Sequence, residues 1–222
     1  WTFYLRQGVM FDKGYGEVTA EDVRYSLVRN ILIDGTGNID TTALKPAIAE
    51  IQAVDPYTVK LVLKRPEITL PYYMSSILGT SGLVIPKKYH EQVGDKGVVA
   101  QPVGSGPYRL VKYEPGSYMQ FEAREDYWAG IPRFQQIIHY KVAEESTRVA
   151  MLKRGELDMA FVSIPRLKEL EAAGFKTYEK KDINMLISYV HNQWEGALAK
   201  KEVRLALNLA VNKQEMRDTL FQ

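Results

Sequence analysis

The three histidines, His90, His139 and His191, are the side chains of this 222-residue chain best suited to metal ligation or to proton transfer near neutral pH. They are widely spaced, and no local metal-ligand pattern joins them. His139 falls on an alternating, strand-like stretch, where an ordinary sheet position accounts for it. The chain has no cysteine, which excludes disulfides, thiolate nucleophiles and Cys-ligated zinc. Glu125 and Asp126 are the one tempting carboxylate pair. Adjacent residues on an extended chain point to opposite faces, so they cannot flank one glycosidic bond. Gly104-x-Gly106 is followed by Pro107 and a strand pattern, not by the helix N-terminus a dinucleotide fingerprint needs. No Gly-x-Ser-x-Gly or P-loop is present. No clustered nucleophile and base is visible.

Bulk properties agree. Hydrophobic residues make up 45% and charged residues 25%, the balance of an ordinary globular protein. A net charge of +2 without a Lys/Arg block gives no footprint for nucleic acid or an anionic membrane surface. No apolar run approaches the about 18 residues of a membrane span. Trp1–Leu5 is strand-like from its first residue, with no basic and apolar leader, so no signal peptide is expected in this chain. A helical pattern is cut short at the other end. The expectation is a piece of a longer protein.

The elements that must position any site follow from periodicity and punctuation. Trp1–Arg6 reads as a strand. Thr19 caps a helix in which Val23, Leu27 and Ile31 form one buried stripe. Ile48–Val54 and Thr58–Leu63 form an antiparallel hairpin about Asp55-Pro56-Tyr57. Leu70–Leu78 is helical, Leu83–Ile85 a brief strand, and Lys87–Val93 a short helix ending near Gly94. Strands follow at Tyr108–Tyr113, Tyr118–Ala123 and Gln136–Val142. Helices at Glu144–Arg154 and Arg166–Ala173 alternate with strands at Leu157–Phe161 and Lys176–Glu179, which predicts a largely parallel sheet. Met185–His191 is a further strand, and Glu202–Val211 and Gln214–Phe221 are helices.

Several blocks, in order, resemble one family. They are WTFYLRQGVMF (Trp1–Phe11), TAEDVRYSL (Thr19–Leu27), IQAVDPYTVKLVLKRP (Ile51–Pro66), GSGPYRL (Gly104–Leu110), EDYWAGIP (Glu125–Pro132), ESTRVAMLKRGELDMAF (Glu145–Phe161) and VRLALNLAVNK (Val203–Lys213). The chain is identified by them as similar to the extracellular solute-binding proteins of family 5, which serve ABC importers for peptides, nickel and related solutes. It departs from the family pattern at Ser105 (usually Thr), Arg124 (usually Asn) and Asn212 (usually Asp).

The resemblance implies an α/β fold of the periplasmic-binding-protein-like type II, with a mixed sheet, an incomplete first lobe and the start of a second. It implies a smaller subdomain over 1–102, a hinge-side subdomain over 103–182, and a hinge crossing over 183–222. Tyr72, Tyr73 and Met74 would face the cleft, with core packing as the alternative for each tyrosine. Ser188, Tyr189 and Asn192 would border it on the crossing strand, with a turn cap and a wall residue as the alternative roles. His191 neighbours that cleft, which leaves nickel or a chelate open. Arg148, Glu156 and Asp158 read as structural charges, and Trp128 with Tyr127 as a packing anchor, with a sugar-stacking platform as the alternative. The implied function is capture of a solute, peptide by default, between two closing lobes and delivery to a permease, without catalysis or cofactor. The implied location is the periplasmic or extracellular face of the membrane. Membrane association would come through the permease or a lipid anchor outside this chain. A hydrolase on the same α/β core, and a sensor or chaperone-like binding module, are the competing classes.

Overall fold

The Asp55-Pro56-Tyr57 turn organises the first sheet. In a computed structural model, which describes residues 1–33, 44–75, 82–178 and 196–220, the Asp55 carboxylate accepts from the Tyr57 N–H at 2.8 Å, a local bond that reverses the chain. It joins β2 (Ile48–Asp55) to β3 (Thr58–Leu63) in antiparallel register, with Ile51 opposite Leu61 and Ala53 opposite Val59. β1 (Thr2–Tyr4) pairs with the other edge of β3, giving the order β1-β3-β2. Ile48 and Ile51 are both buried although three positions apart. A register shift between Ile48 and Glu50 resets the face of the strand.

The expected helix after Thr19 forms as α1 (Ala20–Leu27) and continues through a π-helical turn over Val28–Leu32. Thr19 and Asp22 make a capping box: the Thr19 N–H donates to the Asp22 carboxylate at 3.0 Å. The helix lays Leu27 and Ile31 onto the sheet beside Ile48, Ile51, Val59, Leu61 and Leu70, with Val23 half-buried against them. A second cluster gathers Phe11, Val18, Tyr89 and Val103.

α2 (Leu70–Met74) is short, and α3 (Lys87–Ala100) is longer than its sequence pattern, because the chain resumes helical turns after a break at Gly94. The strand expected at Leu83–Ile85 does not form. The backbone of Ile85 is satisfied by one buried side chain instead: its N–H donates to the Ser26 hydroxyl at 3.0 Å, and that hydroxyl donates to its carbonyl at 3.3 Å.

The second sheet is a meander of β4 (Tyr108–Glu114), β5 (Tyr118–Ala123) and β6 (Gln136–Tyr140), antiparallel throughout. The chain divides into compact units at Trp1–Lys141 and Val142–Gln222. The second unit contains α4 (Glu145–Lys153), α5 (Ile164–Ala172), a 3-10 turn (Gly196–Ala199), α6 (Lys201–Ala210) and α7 (Lys213–Leu220). The alternating fold class holds as a mixed α/β chain. The strands expected at Leu157–Phe161 and in the described part of Lys176–Glu179 are not formed, and every strand pairing among the described residues is antiparallel, so the parallel sheet is not found there. The carbonyl of Phe161 accepts from Arg148 Nε at 3.0 Å rather than from a neighbouring strand, and its side chain is exposed. An alternating pattern marks a face, but a strand also needs a partner for its backbone.

Candidate functional site

α2 carries the first candidate residues. Leu70 is completely buried, and residues three and four positions on, Tyr73 and Met74, pack half-buried against the same core. Tyr72 falls on the opposite side of this single turn and is 41% exposed. The two tyrosine rings meet edge to face, with centroids 6.4 Å apart. Tyr73 and Met74 thus contribute to packing, while Tyr72 is the more exposed of the two tyrosines.

The start of α2 is held from outside. The Trp1 indole N–H donates to the Glu67 carbonyl at 3.1 Å, and the Trp1 backbone nitrogen donates to the Leu61 carbonyl at 3.0 Å. The Glu67 carboxylate accepts from both the hydroxyl and the N–H of Thr69, which holds its pKa below the usual carboxylate range. Pro71 occupies the first turn, where its missing N–H is no loss. The other three candidates, Ser188, Tyr189 and Asn192, lie outside the described residues, as does His191.

Two polar constellations were not visible in sequence. The first links α1 to α3. Tyr25 Oη lies 2.7 Å from His90 Nδ1, and His90 Nε2 lies 2.8 Å from Asp95, which also pairs with Arg29. Glu21 joins the same face, accepting from Arg24 at 2.7 and 2.8 Å and from Lys87 at 2.8 Å. These cations, Arg24 first, hold the Glu21 carboxyl down at about 2. His90 is thus a partnered residue between helices, and the signal for it, a Tyr and an Asp distant in sequence, required the fold.

The second centres on Arg124, which is 2% exposed. Its guanidinium donates to Met10 O at 3.0 Å, Gly104 O at 3.3 Å and both oxygens of Asp126 at 3.0 and 2.8 Å. The Asp126 carboxyl is held low by that pairing. Trp128, expected as a packing anchor, is 47% exposed and carries the Arg6 guanidinium over its ring, 4.5 Å from the centroid. Tyr127 lies 5.4 Å away, tilted against it.

In the second unit Arg148 proves structural. It reaches back to the carbonyls of Val142 and Ala143 at 2.8 and 2.7 Å, as well as to Phe161. Arg204 in α6 repeats the device on Leu198 and Ala199, both at 2.9 Å. Glu156 pairs with Arg154 at 2.6 Å. Among the described residues no three His, Asp or Glu converge as a metal site, and no helix is long and apolar enough to cross a membrane.

Comparison with known proteins bears on what this frame serves. The family model for bacterial extracellular solute-binding proteins, family 5 Middle, matches residues 1–222. The glutathione-binding protein GsiB of Salmonella paratyphi A is 29% identical over 229 residues, which is 100% of this chain and 42% of the relative. MoaA of A. tumefaciens R10, solved with mannopinic acid, is 31% identical with a TM-score of 0.68, over 78% of this chain and 34% of that one. NikZ of Campylobacter jejuni, solved with Ni(L-His), shares the fold at a TM-score of 0.75 and 22% identity, over 99% of this chain and 43% of its own. The chain thus spans less than half the length of the relatives it matches.

Proposed function

The chain belongs to the bacterial extracellular solute-binding proteins of family 5, and we propose that it acts within the substrate-binding component of an ABC importer. Its relatives are binding proteins, not enzymes. The observation that carries the reading is the family match across all 222 residues. In this reading, residues 1–102 are the smaller subdomain of a first lobe, 103–182 the hinge-side subdomain, and 183–222 the crossing into a second lobe. A solute is captured as the lobes close and is handed to the permease at the periplasmic or extracellular face of the membrane. A small peptide is the solute favoured, supported by the whole-chain likeness to a glutathione-binding protein, since glutathione is itself a peptide.

Of the described candidates Tyr72, Tyr73 and Met74, Tyr72 is the most exposed and would touch the solute. Ser188, Tyr189 and Asn192 would supply hydrogen bonds from the crossing strand. The test is calorimetry with a panel of di- and oligopeptides, glutathione and nickel chelates, run on this chain and on a protein of the relatives' length. Peptide binding by the longer protein and little by this chain is the expected result. Tight binding by the 222-residue chain alone would remove the two-lobe reading. In the longer protein Tyr72→Ala should weaken binding by about 1 kcal/mol, roughly fivefold, with little change in melting temperature. Tyr73→Ala should do the reverse, costing about 2 kcal/mol of stability because its ring packs on the core. Equal affinity for wild type and Tyr72→Ala would take Tyr72 out of the site.

A further inference from the structure

Within the unit Trp1–Lys141, four oxygen ligands converge on one buried cation. Met10 O, Gly104 O and the two Asp126 oxygens surround the Arg124 guanidinium at 2.8 to 3.3 Å. The Asp12 carboxylate adds attraction from within the same region. Asp12 is only 7% exposed, and its Oδ2 has no hydrogen-bond partner among the described residues. Its backbone N–H donates to the same Gly104 carbonyl at 2.9 Å, and the Arg124 N–H donates to Pro107 O at 2.9 Å. Two carbonyls, one of them 114 positions away in sequence, meet the buried guanidinium, and Asp126, its side chain 61% exposed, pairs with it from the solvent side. A guanidinium this buried needs acceptors for its N–H groups, and the buried Asp12 carboxylate gains from a cation nearby.

We propose that Met10, Asp12, Gly104 and Asp126 form a cation-binding cage whose resident cation is the Arg124 side chain, and that this charge ties the segment preceding α1 to the second sheet. The planar fork of the guanidinium matches a carboxylate and two carbonyls at once, which an ammonium on a flexible stem does not. A cage with this geometry selects guanidinium-type cations. When the side chain is shortened, it should accept the free ion in its place. The proposal is independent of what solute the protein captures.

The experiment is chemical rescue of the 222-residue chain. Arg124→Ala should melt lower than wild type by on the order of 10 °C, because the Met10 and Gly104 carbonyls lose a charged donor and the buried Asp12 carboxylate loses a nearby cation. Low-millimolar guanidinium chloride should return a large part of that loss, while sodium chloride at equal ionic strength should not, and wild type should not respond. Arg124→Lys should fall between. If Arg124→Ala does not fold, the readout becomes refolding yield with and without the same guanidinium, alongside melting of Arg124→Lys. A neutral variant, Arg124→Gln, that melts with wild type would overturn the cage. So would an Arg124→Ala loss, or an unrecovered refolding yield, that guanidinium leaves untouched, since the residue would then act by packing its stem.

Discussion

Glu21 shows how much one surface carboxylate can be asked to do. Its two oxygens take a forked pair of bonds from Arg24 and a third from Lys87, so it stitches α1 to α3. Hydrogen bonding from Arg24, then from Lys87, lowers its pKa from 4.5 to about 2. A carboxyl depressed in the folded state contributes stability above its unfolded pKa and loses it as pH falls through the folded value. The contribution is therefore complete above about pH 4.5 and gone near pH 2. Because the Glu21 side chain is 42% exposed, solvent screening limits it to about 0.5–1 kcal/mol. Urea titrations of wild type and Glu21→Gln across that window should show the difference shrinking as pH falls. A difference that stays constant with pH would mean that folding does not shift the Glu21 pKa. The His90 constellation beside it carries the same message. The sequence offers a lone histidine, and only the fold brings Tyr25 and Asp95 to its two nitrogens.

Helix ends illustrate the element scale. α4 and α5 stop in the same way. The Gly155 N–H bonds to Leu152 O and the Glu156 N–H to Met151 O; the Gly174 N–H bonds to Glu171 O and the Phe175 N–H to Leu170 O. This is the Schellman arrangement, and it needs a left-handed residue at the glycine. Gly155 and Gly174 have φ of 73° and 86°. No neighbouring atom crowds either position, so an alanine there would be penalised by backbone conformation alone. Gly155→Ala and Gly174→Ala should each cost about 1 kcal/mol. Gly104→Ala, equally uncrowded and without a positive φ, should cost little; denaturant melts of the three variants make the comparison. These glycines were legible as helix stops because local backbone geometry dictates the residue. The absent strand at Leu157–Phe161 was not legible, since its hydrogen bonds depend on what lies beside it.

At the scale of the molecule, stability is distributed unevenly within the unit Trp1–Lys141. β3 sits between two strands, with Val59 and Leu61 fully sequestered beneath α1. Among the described residues β6 is an edge strand, and every one of its residues is exposed. Native-state hydrogen exchange should therefore find the slowest amides in β3 and its partners, near the global unfolding limit, with β6 exchanging through smaller openings. Equal protection in β3 and β6 would show that both sheets open together. The same unevenness bears on the proposed function: Tyr72 is mounted on the well-buried core through Leu70, so its ring is presented from a firm base.

Short-range patterns sufficed for the local grammar: the Thr19 cap, the hairpin at Asp55-Pro56-Tyr57, the three strands between Tyr108 and Tyr140, the glycine stops, and the order of blocks that marks the family. Those features depend on neighbours within a few residues, or on patterns that survive as a string. Tertiary structure alone decided that Tyr72 is open while Tyr73 and Met74 pack. It also decided that His90 is held between Tyr25 and Asp95, and that Arg124 gathers oxygens from Met10, Gly104 and Asp126. Each of these is a meeting of groups distant in the chain. Whether a side chain is buried, paired or free is fixed by what the fold brings against it.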